Sequence, residues 1–319
     1  MENHNENIPL VSVVICTYNR MTYLEECIES VLKQQRNFPI EILIGDDVST
    51  DGTREMLLDY QKKYPEIVRP VLHTMNLGTG KNWATVMMQV RGKYVALCDD
   101  DDYWHNSEKL QKQVDVLEAN ENIGLVHTDY RTLDIHSGKI QEKTVHNASE
   151  QNLLQNLFKG QYFLLTSSCI FRNELIQKYV SLDDFITFDF PIQDWNTWVL
   201  IAKFTNFYHL PVSTVTYRIS SNSMSRPKDF EKIEKKYAKE KVMYKYLCDR
   251  FPDDLHYNET EYDVYVNGIL LSMAYKKWDY RSARKYAKEI IELKGSGLKV
   301  KMALNVFTFY MFGMLKKTK

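Results

Sequence analysis

The sequence predicts an α/β fold in which a mostly parallel, Rossmann-like sheet carries helices on both faces. Two observations support this prediction. Apolar, β-branched runs alternate with segments of helical period through the first half of the chain, and this alternation is typical of strand–helix–strand units. Clusters of aspartate follow directly after two of these runs, and ligands of parallel sheets bind beyond the carboxyl ends of the strands.

The early elements each have their own signature. Residues 10–17 form a continuous apolar run, as expected for a parallel strand that is buried on both faces. Apolar residues then recur at a helical spacing over residues 23–34, and residues 49–53 combine a turn with a helix cap. The predicted strands are residues 10–17, 40–45, 68–73 and 94–98, and the predicted helices are residues 23–34, 54–64 and 81–90.

The rest of the chain is predicted to contain a second group of strands and then a helical region. Two strands are expected at residues 123–131 and 164–172, a short helix at 194–204, and a closing strand pair at 207–219. Helices rich in Lys, Glu and Tyr follow at residues 229–250, 259–277 and 280–294. The expected domains are therefore residues 1–226, with halves at about 9–122 and 123–226, and a C-terminal helical region at 227–319.

Composition excludes some classes of function. The 319 residues include 41 basic and 42 acidic ones, so the net charge of −1 argues against a protein that binds nucleic acid by neutralising phosphates. The five cysteines have no zinc-binding spacing and are expected to be reduced thiols in a cytosolic protein. The polar N-terminus does not resemble a signal peptide.

The C-terminal tail is apolar between flanking lysines. Residues 302–315 are largely apolar, and basic residues precede and follow them. Fourteen residues are fewer than the roughly 20 that span a bilayer. Two alternatives remain: a helix that lies on an anionic membrane surface, or a helix packed against the protein or within a homodimer interface.

Four consecutive aspartates follow the fourth predicted strand. Asp99, Asp100, Asp101 and Asp102 would repel one another unless a cation or strong hydrogen-bond donors meet them. Oxygen ligands favour Mg²⁺ or Mn²⁺ over zinc, and the spacing is too compact for a twelve-residue calcium loop. Because Mg²⁺ usually binds one or two carboxylates together with substrate phosphates, a phosphorylated ligand is expected.

Three ordered motifs resemble those of family 2 glycosyltransferases with the GT-A fold. They read Pro-Leu-Val-Ser-Val-Val-Ile-Cys-Thr-Tyr-Asn-Arg at residues 9–20, Glu-Ile-Leu-Ile-Gly-Asp-Asp-Val-Ser-Thr-Asp-Gly-Thr at 41–53, and Asp-Asp-Asp-Asp-Tyr-Trp at 99–104. The resemblance covers about residues 9–225. It implies an inverting transferase that uses a nucleoside-diphosphate sugar and a divalent metal.

The resemblance also implies roles for individual residues in the first half. Thr17 and Tyr18 would line the nucleoside pocket, Asp47 would hydrogen-bond the base, and Asp99 would lie near the ribose. Asp101 would bind the metal, and Asp102 could share that role because four aspartates leave the register ambiguous by one residue. The remaining donor-side candidates are Arg20, Lys81, Asn82 and Asp100.

The resemblance extends to two segments in the second half of the predicted domain. Gln193-Asp194-Trp195 resembles a family segment in which an acid stands where this chain has Gln193, and Asp194 matches the general base. The alternative for Asp194 is a helix N-cap. Arg218 resembles a residue of the segment that closes over the donor, where it could meet a phosphate, although a plain surface arginine is the alternative.

The resulting hypothesis is a metal-dependent, inverting glycosyltransferase. A UDP-sugar is the favoured donor, a glycan or lipid-linked hydroxyl the acceptor, and Mn²⁺ or Mg²⁺ the cofactor. The expected setting is synthesis of bacterial surface polysaccharide or glycoconjugate, in the cytoplasm or peripherally at the inner face of the membrane. A nucleotidyltransferase on a similar sheet and a non-catalytic module that binds sugar nucleotides are the alternatives.

Overall fold

The protein was studied as a computed structural model, which describes residues 8–145, 152–219 and 229–294. The chain divides into two compact units, with the boundary between Ser223 and Met224. The first unit is a mixed α/β structure and the second consists of helices. The apolar tail for which a membrane or packing role was expected lies outside the described residues.

The strands of the first unit form a single sheet. In chain order they are β1 (Val11–Thr17), β2 (Ile40–Asp46), β3 (Val68–Leu72), β4 (Tyr94–Leu97), β5 (Tyr103–Trp104), β6 (Ile123–Asp134), β7 (Ile140–Lys143), β8 (Ile170–Arg172) and β9 (Asn206–Ile219). The spatial order is β3-β2-β1-β4-β8-β6-β9-β5, and β7 pairs with β6. Strands β1 to β4 are parallel, β6 is parallel to β9, and β8 is antiparallel to both of its neighbours.

Helices surround this sheet. They are α1 (Met21–Leu32), α2 (Thr53–Lys63), α3 (Thr79–Met87), α4 (Lys109–Ala119), α5 (Leu153–Phe158), α6 (Asn173–Tyr179), α7 (Leu182–Phe188) and α8 (Gln193–Ala202). Because side chains alternate along a strand, Val13 and Ile42 face the core that α1, α2 and α4 cover. Gly45 faces α3 on the opposite side, where an added Cβ would lie 2.2 Å from Asn82 Oδ1. Helices on both faces of the sheet are thereby confirmed.

Two predicted elements differ from the structure. The strand expected at residues 164–172 is reduced to β8, because Thr166–Ser168 form a 3₁₀ turn. The Ser168 hydroxyl donates to the carbonyl of Leu165 at 2.7 Å, and such local side-chain bonds compete with strand pairing.

The strand pair expected at residues 207–219 is the single strand β9. Its pairing with β6 jumps from Leu210 to Ser213, so Pro211 falls within an irregularity. Proline has no N–H to donate to the ladder, which explains why the pairing opens there.

The second unit contains α9 (Phe230–Arg250), α10 (Glu259–Lys276) and α11 (Tyr280–Lys294). Side-chain caps begin two of these helices: Asp229 accepts from Lys232 N and Asn258 accepts from Glu261 N, each at 3.1 Å. A core of small and apolar side chains joins the helices, and it includes Leu270, Ala274, Ala283 and Ile290. In the part of the chain that the structure describes, none of the helices is both long and apolar enough to cross a bilayer.

Candidate active site

The acidic segments meet at the carboxyl ends of the parallel strands. Thr17 at the end of β1 lies opposite Asp46 at the end of β2, and Asp47 N donates to the Thr17 carbonyl at 3.0 Å. On the other side of β1, Cys98 N donates to the Val14 carbonyl at 3.1 Å. The sheet therefore brings the β1, β2 and β4 motifs to one edge, as the sequence predicts.

Two loops at this edge are tied together by Asn19. Its Oδ1 accepts from Thr50 N at 2.8 Å, and its own N–H donates to Ser49 Oγ at 2.9 Å. Tyr18 beside it is 51% exposed, which leaves its ring free to contact a ligand. The guanidinium of Arg20 lies 3.9 Å from Asp101 Oδ2.

Asp46, the last residue of β2, and Asp47, which follows it, both have protein partners. Asp46 is fully buried and forms an ion pair with Arg54 at 2.8 Å. Asp47 accepts from the backbone N–H groups of Leu77 and Gly78 at 2.6 and 2.9 Å. Asp47 thus holds the loop before α3, a partner that differs from the nucleotide base expected for it.

Lys81 and Asn82, the two candidate donor contacts on α3, lie in different environments. Asn82 is 2% exposed, donates to the Gly45 carbonyl at 2.9 Å and pairs with His73 at 2.9 Å. This amide joins α3 to the sheet, so the donor contact expected for Asn82 is not available. Lys81 is half-buried, and among the described residues it forms no ion pair.

The acidic loop consists of Asp99–Asp102, and its first two aspartates are crowded by like charge. Desolvation and then the charge of Asp102 raise the pKa of Asp99 well above its usual range. Desolvation and then the charge of Asp101 raise the pKa of Asp100 to about 7. The Thr17 hydroxyl, the Tyr18 backbone N–H and the Arg20 charge act on Asp100 in the opposite direction.

The last two aspartates have contrasting environments. Asp102 is fully buried, and its carboxylate accepts from Ser167 Oγ at 2.7 Å and from Arg218 N at 3.2 Å. Desolvation raises the pKa of Asp102 to about 8, although the Ser167 hydroxyl opposes the shift. The Asp101 side chain keeps 31% of its exposure. The geometry therefore favours Asp101 as the metal ligand and argues against the same role for Asp102.

Arg218 near the end of β9 is held by the protein. Its guanidinium forms an ion pair with Glu26, donates to the Asp101 carbonyl at 2.8 Å and lies over the rings of Tyr23 and Tyr103. At 7% exposure it is not the plain surface arginine that was the alternative for this position. The phosphate contact that the resemblance implies for Arg218 stays a prediction. Arg218 thereby connects the acidic loop, through the Asp101 carbonyl, to Glu26 on α1. The residues that follow Ile219 and would continue the segment expected to close over the donor lie outside the described residues.

Asp194 lies in the first turn of α8. The helix begins at Gln193 with Ile192 as its N-cap, so Asp194 is not the N-cap. One carboxylate oxygen accepts from Trp195 N at 2.8 Å, and the other accepts from the Thr166 hydroxyl. The charge of Asp194 contributes to raising the pKa of Asp99, so the base candidate belongs to the same acidic site.

Sequence reasoning missed several residues of this site. Glu26 and Tyr23 lie on a helix whose exposed face has no distinctive pattern. Thr166 and Ser167 fall in a segment that has the composition of a strand. Only the tertiary fold brings these four side chains to their partners Asp102, Asp194 and Arg218.

The residues present fit a divalent cation. In the described part of the chain no three His, Cys, Asp or Glu side chains are arranged to hold a metal by themselves. Mg²⁺ and Mn²⁺ commonly bind through one or two carboxylates and substrate phosphates. A partly exposed Asp101 within a crowded group of carboxylates supplies oxygen ligands, and its ion-pair partner, the Arg20 guanidinium, lies 3.9 Å away.

Comparisons with solved structures show the GT-A fold. The crystal structure of S. aureus TarS 1–349 in complex with UDP-GlcNAc superposes with a TM-score of 0.56 at 19% identity, covering 93% of this chain and 79% of that one. A mannosyltransferase from Pyrobaculum calidifontis, in complex with GDP-Man and Mn²⁺, has a TM-score of 0.51 at 16% identity and covers 90% and 88%.

Comparisons of the sequence identify related proteins and a family. An uncharacterized Mycobacterium tuberculosis protein, Rv1520, is 30% identical over 65% of this chain, which spans 58% of that protein's length. The putative teichuronic acid biosynthesis glycosyltransferase TuaG of Bacillus subtilis is 31% identical over 69% of this chain and 83% of its own. The sequence profile described as glycosyl transferase family 2 matches residues 12–180, more than half of the chain. This chain belongs to glycosyl transferase family 2.

Proposed function

We propose that this protein is an inverting glycosyltransferase that moves a sugar from a nucleoside-diphosphate sugar to a hydroxyl acceptor. The observation that supports the proposal most directly is that a single turn forms hydrogen bonds both to Asp194 and to the acidic loop. Adjacent residues of one turn, Thr166 and Ser167, bond Asp194 and Asp102 respectively. The proposed general base and the acidic loop that is proposed to bind the donor are thus held within one site, which is the arrangement that direct displacement needs.

Asp194 is the proposed general base. In the reaction it accepts the proton of the acceptor hydroxyl while the oxygen attacks the anomeric carbon and the nucleoside diphosphate departs. The transition state resembles an oxocarbenium ion, like that of glycoside hydrolysis. The base must come within hydrogen-bond reach of the acceptor hydroxyl. Asp194 can do so because the first turn of α8 is partly exposed.

The donor is proposed to bind at the carboxyl ends of β1, β2 and β4. Tyr18 offers an exposed ring, while Arg20 and Lys81 offer positive charge to a diphosphate. Thr17 and Asp99 complete the proposed pocket, and Asp100 borders it. Asp101 would hold Mn²⁺ or Mg²⁺, which on binding neutralises charge on the leaving diphosphate.

UDP-sugars are favoured because TarS binds UDP-GlcNAc, although the mannosyltransferase neighbour binds GDP-Man. The name of TuaG refers to the biosynthesis of teichuronic acid. We therefore favour a role in bacterial surface polysaccharide or glycoconjugate synthesis, with the protein in the cytoplasm or at the inner membrane face. The free cysteines need no catalytic role.

A panel of UDP- and GDP-sugars tests the proposal. The purified protein is incubated with each donor and Mn²⁺, with and without glycan acceptors, and the released nucleotide is identified. Release of nucleoside diphosphate with transfer to an acceptor supports the proposal. A separate incubation with a nucleoside triphosphate and a sugar 1-phosphate tests the alternative enzyme class, because a nucleotidyltransferase would join the two and release pyrophosphate. Binding without turnover in either incubation would identify a sugar-nucleotide module.

Metal dependence is tested at the acidic loop. UDP is titrated by calorimetry with and without Mn²⁺ for the wild type, Asp101→Ala and Asp102→Ala. We expect Asp101→Ala to remove the contribution of the metal to UDP affinity, whereas Asp102→Ala should chiefly lower stability because Asp102 is buried. Metal-dependent affinity that survives in Asp101→Ala would contradict the assignment.

A further inference from the structure

The turn Thr166–Ser168 contacts both parts of the proposed chemistry. It lies between α5 and β8 in the second half of the first unit. Its side chains nevertheless reach the acidic loop of the first half as well as Asp194 on α8.

Ser167 binds the acidic loop at two points and β5 at a third. Its hydroxyl donates to Asp102 Oδ2 at 2.7 Å and accepts from Asp99 N at 2.9 Å. Its carbonyl accepts from Trp104 Nε1 at 3.0 Å. Because Ser167 is fully buried, these bonds are shielded from water and fix the loop relative to the turn.

Thr166 binds the proposed base. Its hydroxyl donates to Asp194 Oδ2, while Asp194 Oδ1 accepts from Trp195 N at 2.8 Å. Each oxygen of the carboxylate therefore has one donor, and the plane of the group is defined. Each oxygen also keeps a lone pair with which it can meet an acceptor hydroxyl.

The turn itself is held by the surrounding core. Gln113 Nε2 donates to the Ser168 carbonyl at 2.8 Å, and the Ser168 hydroxyl donates to the Leu165 carbonyl at 2.7 Å. Leu97 N at the end of β4 donates to the Cys169 carbonyl. Since the strand that delivers the aspartates is bonded to this segment, the turn cannot shift independently of them.

We propose that Thr166 is a positioning residue, whose hydroxyl orients the Asp194 carboxylate towards the acceptor hydroxyl. Ser167, the next residue of the turn, sets the distance between Asp194 and the acidic loop. The inference rests on the proposed function. Its physical basis is that displacement requires the reacting atoms to be about 3–3.5 Å apart, and misplacement by about 1 Å can lower a rate by about 10²-fold. Thr166 acts through Asp194 and does not itself exchange a proton with substrate.

The test compares three variants of the full chain. Thr166→Val removes the hydroxyl at nearly constant shape, and Thr166→Ser retains the hydroxyl without the methyl group. Thr197→Val is the matched control, because its buried hydroxyl on the same helix donates to the Gln193 carbonyl at 2.7 Å and does not bond Asp194. Turnover is measured as nucleoside diphosphate released from a donor that the wild type uses, with UDP affinity and Tm alongside.

Thr166→Val is expected to lower kcat by about 10- to 100-fold, within the range that misplacement of a reacting group produces. UDP affinity in Mn²⁺ should remain within about twofold, because the Ser167 contacts to the loop are intact. Thr166→Ser should restore most of the kcat, and Thr197→Val should leave it nearly unchanged.

Three outcomes would overturn the inference: wild-type kcat in Thr166→Val, a Thr166→Ser variant as slow as Thr166→Val, or an equal loss in Thr197→Val. Failure of the proposed function looks different. In that case the wild type releases no nucleoside diphosphate from any donor, or Asp194→Asn turns over at the wild-type rate.

Discussion

Replacing Asp194 by Asn tests the centre of the proposed chemistry with a small structural change. Asp194 is the second residue of α8, and its carboxylate accepts from Trp195 N and the Thr166 hydroxyl. Because Asn is nearly isosteric and its amide oxygen can accept one of these bonds, the helix should persist. Loss of a negative charge from a first helical turn costs about 0.3–1 kcal/mol, and removing a carboxylate from an acidic group offsets part of that cost.

The effect on catalysis should be much larger than the effect on stability. Loss of a general base typically lowers turnover by about 10² to 10⁴. That range corresponds to about 2.7–5.4 kcal/mol in the activation free energy. Donor affinity should change little, since Asp194 is not among the proposed donor contacts.

The assay measures nucleoside diphosphate release at saturating donor, together with UDP affinity and Tm. Asp183→Asn is the matched control, because Asp183 is likewise the second residue of a short helix, α7, and is exposed. Turnover of Asp194→Asn within about threefold of the wild type would refute the assignment of the base, given the expected range. An equal loss in Asp183→Asn would show that helix electrostatics, and not proton transfer, cause the effect.

Three further predictions concern stability and the tail. Gly45→Ala should lower the free energy of unfolding by about 2–4 kcal/mol in urea titrations, since the new Cβ meets Asn82 and disturbs its hydrogen bond; a loss below about 1 kcal/mol would contradict the packing argument. Val48→Gly should raise stability by about 0.5–1 kcal/mol, because Val48 has φ of 67° and a left-handed β-branched residue is strained; an unchanged or lower Tm would count against this. Protein ending at Lys294 should lose binding to anionic vesicles yet keep transfer to a soluble acceptor, whereas unchanged vesicle binding would remove the membrane role from the tail.

The first half of the fold could be predicted because its signals are local. Residues 10–17 and 40–45 are mostly apolar, and the strands observed there are almost entirely buried. Parallel strands that are buried on both faces leave this pattern in the sequence itself. The gathering of Thr17, Asp46 and Asp99 at one edge then follows from the direction of the strands.

The second half was predicted less well because tertiary contacts decide its structure. Residues 164–172 have the composition of a strand, yet the Thr166–Ser168 turn is stabilised by bonds to side chains and strands far away in sequence. Arg218 likewise gives no local sign that Glu26 will be its partner, because the two residues are separated by 192 positions. Neither contact has a periodicity that sequence patterns could detect.

The four consecutive aspartates have different environments because residues from the second half of the first unit contact them differently. Within Asp99–Asp102 the sequence alone leaves the metal-binding register ambiguous. Ser167 and the backbone of Arg218, both from the second half, occupy the carboxylate of Asp102. The same arginine bonds only the carbonyl of Asp101 and leaves its carboxylate partly exposed. A substitution in the second half that frees Asp102 would therefore alter the proposed metal site without changing any of the four aspartates, so the two halves must be treated as one chemical unit.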